Sequence, residues 1–213
     1  MRSSRASKVS VALFALVLGL FGSAAADAPM SLDRLLRAFS EMPGLEARFV
    51  EEKTMSLLAV PLKSEGTLFF APPGMLLRRV ESPKPQELLV TGTRLRIREG
   101  EKVQELDLAG RPDVRPLVES LLWLFSGNRA ALEEAFVLEF SGGATWALSM
   151  KPRRAPLDKL VREIRLSGEG LAVRTVEVHE TSGDRSVTRI LDADPRRTFS
   201  AAEKERLFGR DGT

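Results

Sequence analysis

Glycine and proline cut this chain into short runs of alternating character, and that punctuation constrains the fold more than any other feature. Leu45, Ala47 and Phe49 alternate with Glu46, Arg48 and Val50. Residues 66–70 form an apolar run closed by Pro72, Pro73 and Gly74, and residues 75–81 a second run closed by Pro83 and Pro85. Residues 88–90 and 94–98 flank Gly92, and residues 103–108 follow Gly100. Further runs cover 136–140, 145–150, 160–166, 171–180 and 185–191, separated by Gly142-Gly143, Pro152 with Pro156, Gly168 with Gly170, and Gly183. Short runs with turn residues roughly every 8–12 positions predict a long antiparallel meander.

Three segments break the period of two. In residues 31–40, Leu32, Leu35, Leu36 and Phe39 form one helical stripe, Ser31 is placed to cap it, and Pro43-Gly44 ends it. Residues 112–127 form an apolar insertion with Pro116 placed for a helix start. There Leu117, Val118, Leu121, Leu122 and Phe125 share a face that Trp123 and Leu124 widen, and Asn128 can cap a second short helix through Ala135. Ser200 with Glu203 forms a capping box for a last helix ending near Gly209. The expected architecture is a single α+β domain over residues 27–213.

Residues 1–26 read differently. Arg2, Arg5 and Lys8 precede an apolar run over 9–21 and then Gly22-Ser23-Ala24-Ala25-Ala26, the layout of a cleaved secretory signal. The run is shorter than the roughly 20 residues of a membrane span and carries Ser10 and Gly19. Cleavage after Ala26 is expected, which makes the product a soluble exported protein. The whole chain holds 32 Lys plus Arg and 29 Asp plus Glu. Removing three basic residues with the signal leaves 29 against 29, a neutral chain with no field to hold nucleic acid.

Chemistry is scarce. With no cysteine and one histidine, thiol catalysis, cysteine-ligated zinc and the two-histidine helical zinc motif drop out. No phosphate-binding glycine loop or serine nucleophile elbow is present. His179 falls on the polar side of an alternating strand. Glu51 and Glu52 are neighbours on a strand and point to opposite faces. Arg94, Arg96 and Arg98 alternate with Leu95 and Ile97, read as a solvated face diluted by Glu99, Glu101 and Glu105. Neither an enzyme nor a bound cofactor or metal is expected. What remains is an apolar sheet with an apolar insertion, which forms either an ordinary core or a cavity for a lipid.

The run Gly66-Thr-Leu-Phe-Phe-Ala-Pro-Pro73, residues 75–83, and Glu87-Leu-Leu-Val90 with Gly92 resemble the LolA family. Ala47-Arg-Phe49 resembles its first-strand segment, and Trp146-Ala-Leu-Ser-Met-Lys-Pro152 its short strand ending in Lys. Residues 160–165 and 178–186 are similar to its last two long strands. The likeness is nearest to LolA-related proteins of envelope lipid or aryl polyene export. It implies a half-open antiparallel β-barrel lidded by short helices, acting in the periplasm as a monomer. It implies acyl or lipid cargo received from an inner-membrane exporter and passed to an outer-membrane acceptor lipoprotein. The alternative is a non-catalytic adaptor of an export complex with a filled core. Pro72 stands where the family often has an arginine that ties the lid shut; without that latch the resemblance favours a related lipidic cargo over lipoproteins themselves.

On this reading Phe49, Leu68, Phe70, Leu76 and Val80 line the cavity wall, and Leu121, Leu122 and Phe125 form the lid. Arg78 shares the strand face of Leu76 and Val80, so it also points inward. There it pairs with an acidic head group or with a carboxylate of this chain such as Glu81 or Glu51, unless a bulge turns it outward.

Overall fold

A computed structural model of the protein describes residues 29–111 and 115–209. The expected signal segment lies outside the described residues. The described residues begin with helix α1 (Leu32–Ser40), then six strands: β1 (Leu45–Thr54), β2 (Leu62–Ala71), β3 (Met75–Ser82), β4 (Gln86–Thr91), β5 (Arg94–Glu99) and β6 (Lys102–Asp107). Helices α2 (Arg115–Phe125) and α3 (Arg129–Ala135) follow. Five more strands come next: β7 (Phe136–Ser141), β8 (Thr145–Pro152), β9 (Val161–Glu169), β10 (Ala172–Glu180) and β11 (Arg185–Asp194). Helix α4 (Ala201–Phe208) is the last described element.

The eleven strands make one sheet in the order β6-β5-β4-β3-β2-β1-β11-β10-β9-β8-β7. Two meanders are thus joined where the first strand pairs antiparallel with the last, Glu46 opposite Asp194 through Thr54 opposite Arg185. The sheet is curved and unclosed, with β6 and β7 as its edges. One residue explains part of the curvature. A Cβ on Gly66 would lie 1.9 Å from the Arg79 carbonyl oxygen, so only glycine fits there. At this point the β2–β3 register slips between Glu65 and Gly66. A slip of one residue bends a strand and increases its twist.

The caps are those the sequence predicts. The Ser31 hydroxyl accepts from Arg34 N–H at 3.2 Å. Asn128 Oδ1 accepts from Ala131 N–H at 3.1 Å. Ser200 and Glu203 form the reciprocal capping box.

Apolar residues cover both faces of the sheet. On the inner face, α1 packs Leu35, Leu36 and Phe39 against Trp146, Leu148, Met150, Ile164 and Leu166, with Leu124, Leu132 and Phe136. Beside it, α2 covers Phe70, Leu76, Val90 and Leu95. On the outer face, α4 and the residues before it bring Phe199 and Phe208 onto Phe69, Leu77 and Leu89. The Phe199 ring meets Phe208 and Phe69 edge-on, with centroids 5.8 and 6.4 Å apart.

This outer layer corrects one expectation. Arg96 and Arg98 do not stand on an open solvated face, because α4 lies across it. Arg96 Nη2 donates to the Gly209 carbonyl at 2.8 Å, tying the end of α4 to β5. Arg197 does the same for the start of α4, bonding both Glu46 and Glu203.

Candidate ligand-binding concavity

Antiparallel register places the wall residues together. Phe49 faces Gly66, Ala47 faces Leu68, and Leu45 faces Phe70 across β1 and β2. Phe70 then faces Leu76, and Leu76 faces Val90. Side chains of directly opposed residues share a face. Phe49, Phe70, Leu76 and Val80 are buried, whereas Leu68 and Arg78 are partly exposed. All six lie on the inner face, as the sequence predicts.

The connection from β6 to β7 joins the two edges of the sheet. Helix α2 lies in this connection and carries Val118, Leu121, Leu122 and Phe125 onto the wall. The Phe125 ring stacks on Phe70 with centroids 4.4 Å apart and planes 17° apart. It also sits 6.2 Å from Phe39 of α1. Phe125 therefore ties α2 to the sheet and to α1 at once. The predicted lid face is one side of the helix only: Leu117, Trp123 and Leu124 turn toward the α1 cluster. Leu124, which the sequence places as a mere widening of the lid face, is the more deeply buried. Ser120 is also buried, its hydroxyl donating to the Leu117 carbonyl at 2.7 Å. That bond lets a polar side chain sit at the helix interface at small cost.

Along the inner face the character changes from apolar to polar. Near Gly74 the wall is aliphatic and covered by α2; a Cβ on Gly74 would lie 4.0 Å from Leu122 Cδ2. Toward the other end of the strands stand Arg78 and Glu51. Arg78 Nη2 donates to Glu51 Oε1 at 3.0 Å, and the two side chains are 27% and 23% exposed. Glu51 Oε2 accepts from Thr188 Oγ1 at 2.8 Å. The guanidinium lies 4.6 Å above the Phe49 ring. Of the outcomes open from sequence, pairing with Glu51 is the one found. Half-burial makes the pairing important, because a desolvated charge without a partner is costly. Thr188 is a partner that the sequence reading missed; its parity on β11, opposite Glu51, is the signal that would have found it. Further out, Gln86 and Lys84 bond the Glu99 carboxylate and, led by Lys84, hold its pKa below the ordinary glutamate value.

The remaining polar candidates do not gather. Glu52 points away from Glu51 and lies 3.9 Å from Lys63. His179 Nε2 lies 3.3 Å from Glu177 Oε2, which also accepts from Arg185 at 2.7 Å. Among the described residues no three His, Asp or Glu side chains converge as a metal site, and no helix is long and apolar enough to cross a membrane.

The architecture is thus an open, curved antiparallel sheet with helices laid along its apolar inner face. The chain belongs to the family of LolA-like outer membrane lipoprotein carrier proteins, whose model matches residues 23–206. Members of this family are carriers. Several solved structures are similar to the chain at low identity. A LolA superfamily protein from Nitrosomonas europaea is 10% identical, with 86% of this chain and 100% of that one covered and a TM-score of 0.45. An outer membrane lipoprotein-sorting protein domain from Vibrio parahaemolyticus is 9% identical, with 84% and 97% covered and a TM-score of 0.48. The lipoprotein LppX of Mycobacterium tuberculosis is 7% identical, with 79% and 97% covered and a TM-score of 0.40. No match was found among proteins of curated function.

Proposed function

We propose that the protein is exported to the periplasm and carries the apolar part of a lipid, lipoprotein or lipid-linked product between the envelope membranes. The observation that carries this reading is the placement of α2. An apolar helix lies over an apolar wall in a connection that is not itself a strand of the sheet, so it can leave without breaking a ladder. Cargo then takes the place of Leu121, Leu122 and Phe125 against Leu68, Phe70, Leu76 and Val80. Arg78 marks the polar end of the site, where a head group would lie. An inner-membrane exporter donates the cargo to a monomeric carrier, and an outer-membrane lipoprotein accepts it. No bond is made or broken; transfer runs to whichever partner binds the cargo better.

Solvent extraction of protein purified from its native envelope, followed by mass spectrometry, tests this directly. A stoichiometric acylated species is expected. Leu76→Glu should abolish loading by placing a charge in the apolar wall, with the circular dichroism spectrum near native. Stacking of Phe125 on Phe70 favours a second reading, an adaptor whose filled core never opens. That reading gains if extraction yields no lipid and a membrane partner co-purifies.

A further inference from the structure

The loop between β1 and β2 runs Met55-Ser-Leu-Leu-Ala-Val-Pro61 and leads into Leu62. From Leu57 to Leu62 every residue is apolar, and the large side chains are open: Leu57 is 89% exposed, Val60 70%, Leu62 50% and Leu58 44%. These four are nearly half of the large exposed apolar residues among the described residues, concentrated in six positions. The base of the loop is fixed. Ser56 N–H and Oγ both donate to Asp184 Oδ1, at 3.0 and 3.2 Å, and Lys53 pairs with Glu180 at 2.8 Å. An apolar tip is thus held out from a polar, anchored collar. Burial by the described residues does not account for it.

We propose that this tip inserts into the surface of a lipid bilayer. Four features favour a bilayer over a protein groove. The tip offers no side-chain hydrogen bond or charge between Leu57 and Leu62, so it has nothing to define a register. Lys63, 78% exposed at its side chain, stands just behind it, where an ammonium reaches lipid phosphates while its stem stays in the interface. The reach is right: three residues out and three back extend roughly 10 Å, the depth of the headgroup and acyl boundary. At that depth water and head groups still satisfy the loop's backbone, which the hydrocarbon centre would not. Finally, the tip lies at the Glu51–Arg78 end of the concavity. Leu57 is six residues beyond Glu51 on the same strand and its extension, roughly 20 Å at most. Docking by the tip therefore sets the polar end of the proposed cargo site at the membrane. This placement rests on the carrier reading; the insertion itself does not.

The test uses the exported, processed protein and vesicles of phosphatidylethanolamine and phosphatidylglycerol in a 3:1 ratio. Wild type should float with the vesicles, and Leu57→Asp with Val60→Asp should reduce bound protein at least tenfold. Because the chain has no cysteine, a single environment-sensitive dye can be placed at Val60→Cys or, as control, at Leu171→Cys. Leu171 is also exposed, at 54%, but stands in the β9–β10 turn at the opposite end of the sheet. Dye emission should rise and shift to the blue with vesicles at position 60 and stay unchanged at 171. No flotation of wild type, equal flotation of the double variant, or equal dye response at both positions would overturn the proposal. Loading of a fluorescent fatty acid in vesicle-free solution separates the two readings. Flotation without loading removes the carrier reading and leaves the tip; loading without flotation does the reverse.

Discussion

Phe125→Ala is the sharpest probe of whether α2 moves. Truncating a fully buried phenylalanine costs about 3–5 kcal/mol. Phe125 is partly exposed, which lowers that figure, while its stack on Phe70 adds about 1 kcal/mol beyond area. A loss of about 2–3 kcal/mol is expected. If α2 opens as a unit, the loss falls fully on the opening step, and the opening constant rises about 30- to 150-fold. Uptake of a fluorescent fatty acid, measured by stopped flow at saturating probe, should accelerate by the same factor. The melting temperature must fall as well, because the same contacts are absent from the unfolded chain, so a lower midpoint alone decides nothing. A destabilised variant with unchanged uptake would refute the reasoning and make α2 a fixed core helix. Hydrogen exchange gives an independent reading: in wild type, α2 amides should open at lower free energy than those of Phe70 or Leu148.

Arg78→Met keeps the side chain's reach and removes its charge. Affinity for a fatty acid should fall about tenfold, ~1.4 kcal/mol, relative to the matching fatty alcohol; equal change for both would remove Arg78 from the site. Cysteines at Gly74 and Leu122, joined by a short cleavable cross-link, should block loading and release until cleaved, and unimpaired transfer with the link intact would exclude α2 as the gate. Glu203 accepts from Ser200 N–H and from Arg197, and the Ser200 bonds lead in holding its pKa down to about 2. A depressed pKa contributes stability above the unfolded glutamate value and loses it as pH falls toward 2. Glu203→Gln should therefore melt lower than wild type at pH 6, with the gap closing between about pH 5 and pH 2; a constant gap would contradict the assignment.

The strands, their faces and the caps were legible because each rests on local rules: parity for Leu76, Arg78 and Val80, and side-chain geometry for Ser31, Asn128 and Ser200. The outer layer was not. Leu68-Phe69-Phe70-Ala71, Met75-Leu76-Leu77 and Leu88-Leu89-Val90 are apolar on both parities, the mark of strands buried on two faces. That pattern says a second cover exists but not which segment provides it. The cover comes from Phe199 and Phe208, more than 100 residues away along the chain, and no local rule connects them to Phe69. Arg78 shows the same limit at the site. Parity turned it inward, yet the choice among Glu51, Glu81 and a ligand depended on which strand lies beside β2. The β1–β2 tip was equally hidden, because nothing in an apolar run such as Leu57 to Leu62 tells a buried strand from a loop left open among the described residues.

The energetics of the concavity bear on whether α2 can give way to a cargo, as the proposed function requires. Covering an aliphatic or aromatic side chain is worth about 1.5–3 kcal/mol when complete. The four residues of α2 on the wall, of which Val118 alone is buried, therefore contribute about 4–8 kcal/mol on that face, and Leu117, Trp123 and Leu124 add to it on the α1 face. An acyl chain of about ten methylenes gains about 8 kcal/mol on entering the same space. The wall-facing and acyl terms are of similar size, so under the proposed function α2 acts as a competing ligand tethered to the carrier, with its α1-facing contacts weighting it toward closure. A wall left bare would hold the cargo too tightly to release it and would expose Phe70, Leu76 and Val90 to water between trips. A helix with all four residues deeply buried would never give way. Partial burial of Leu121, Leu122 and Phe125 lies between these limits, the range in which the proposed transfer would be reversible.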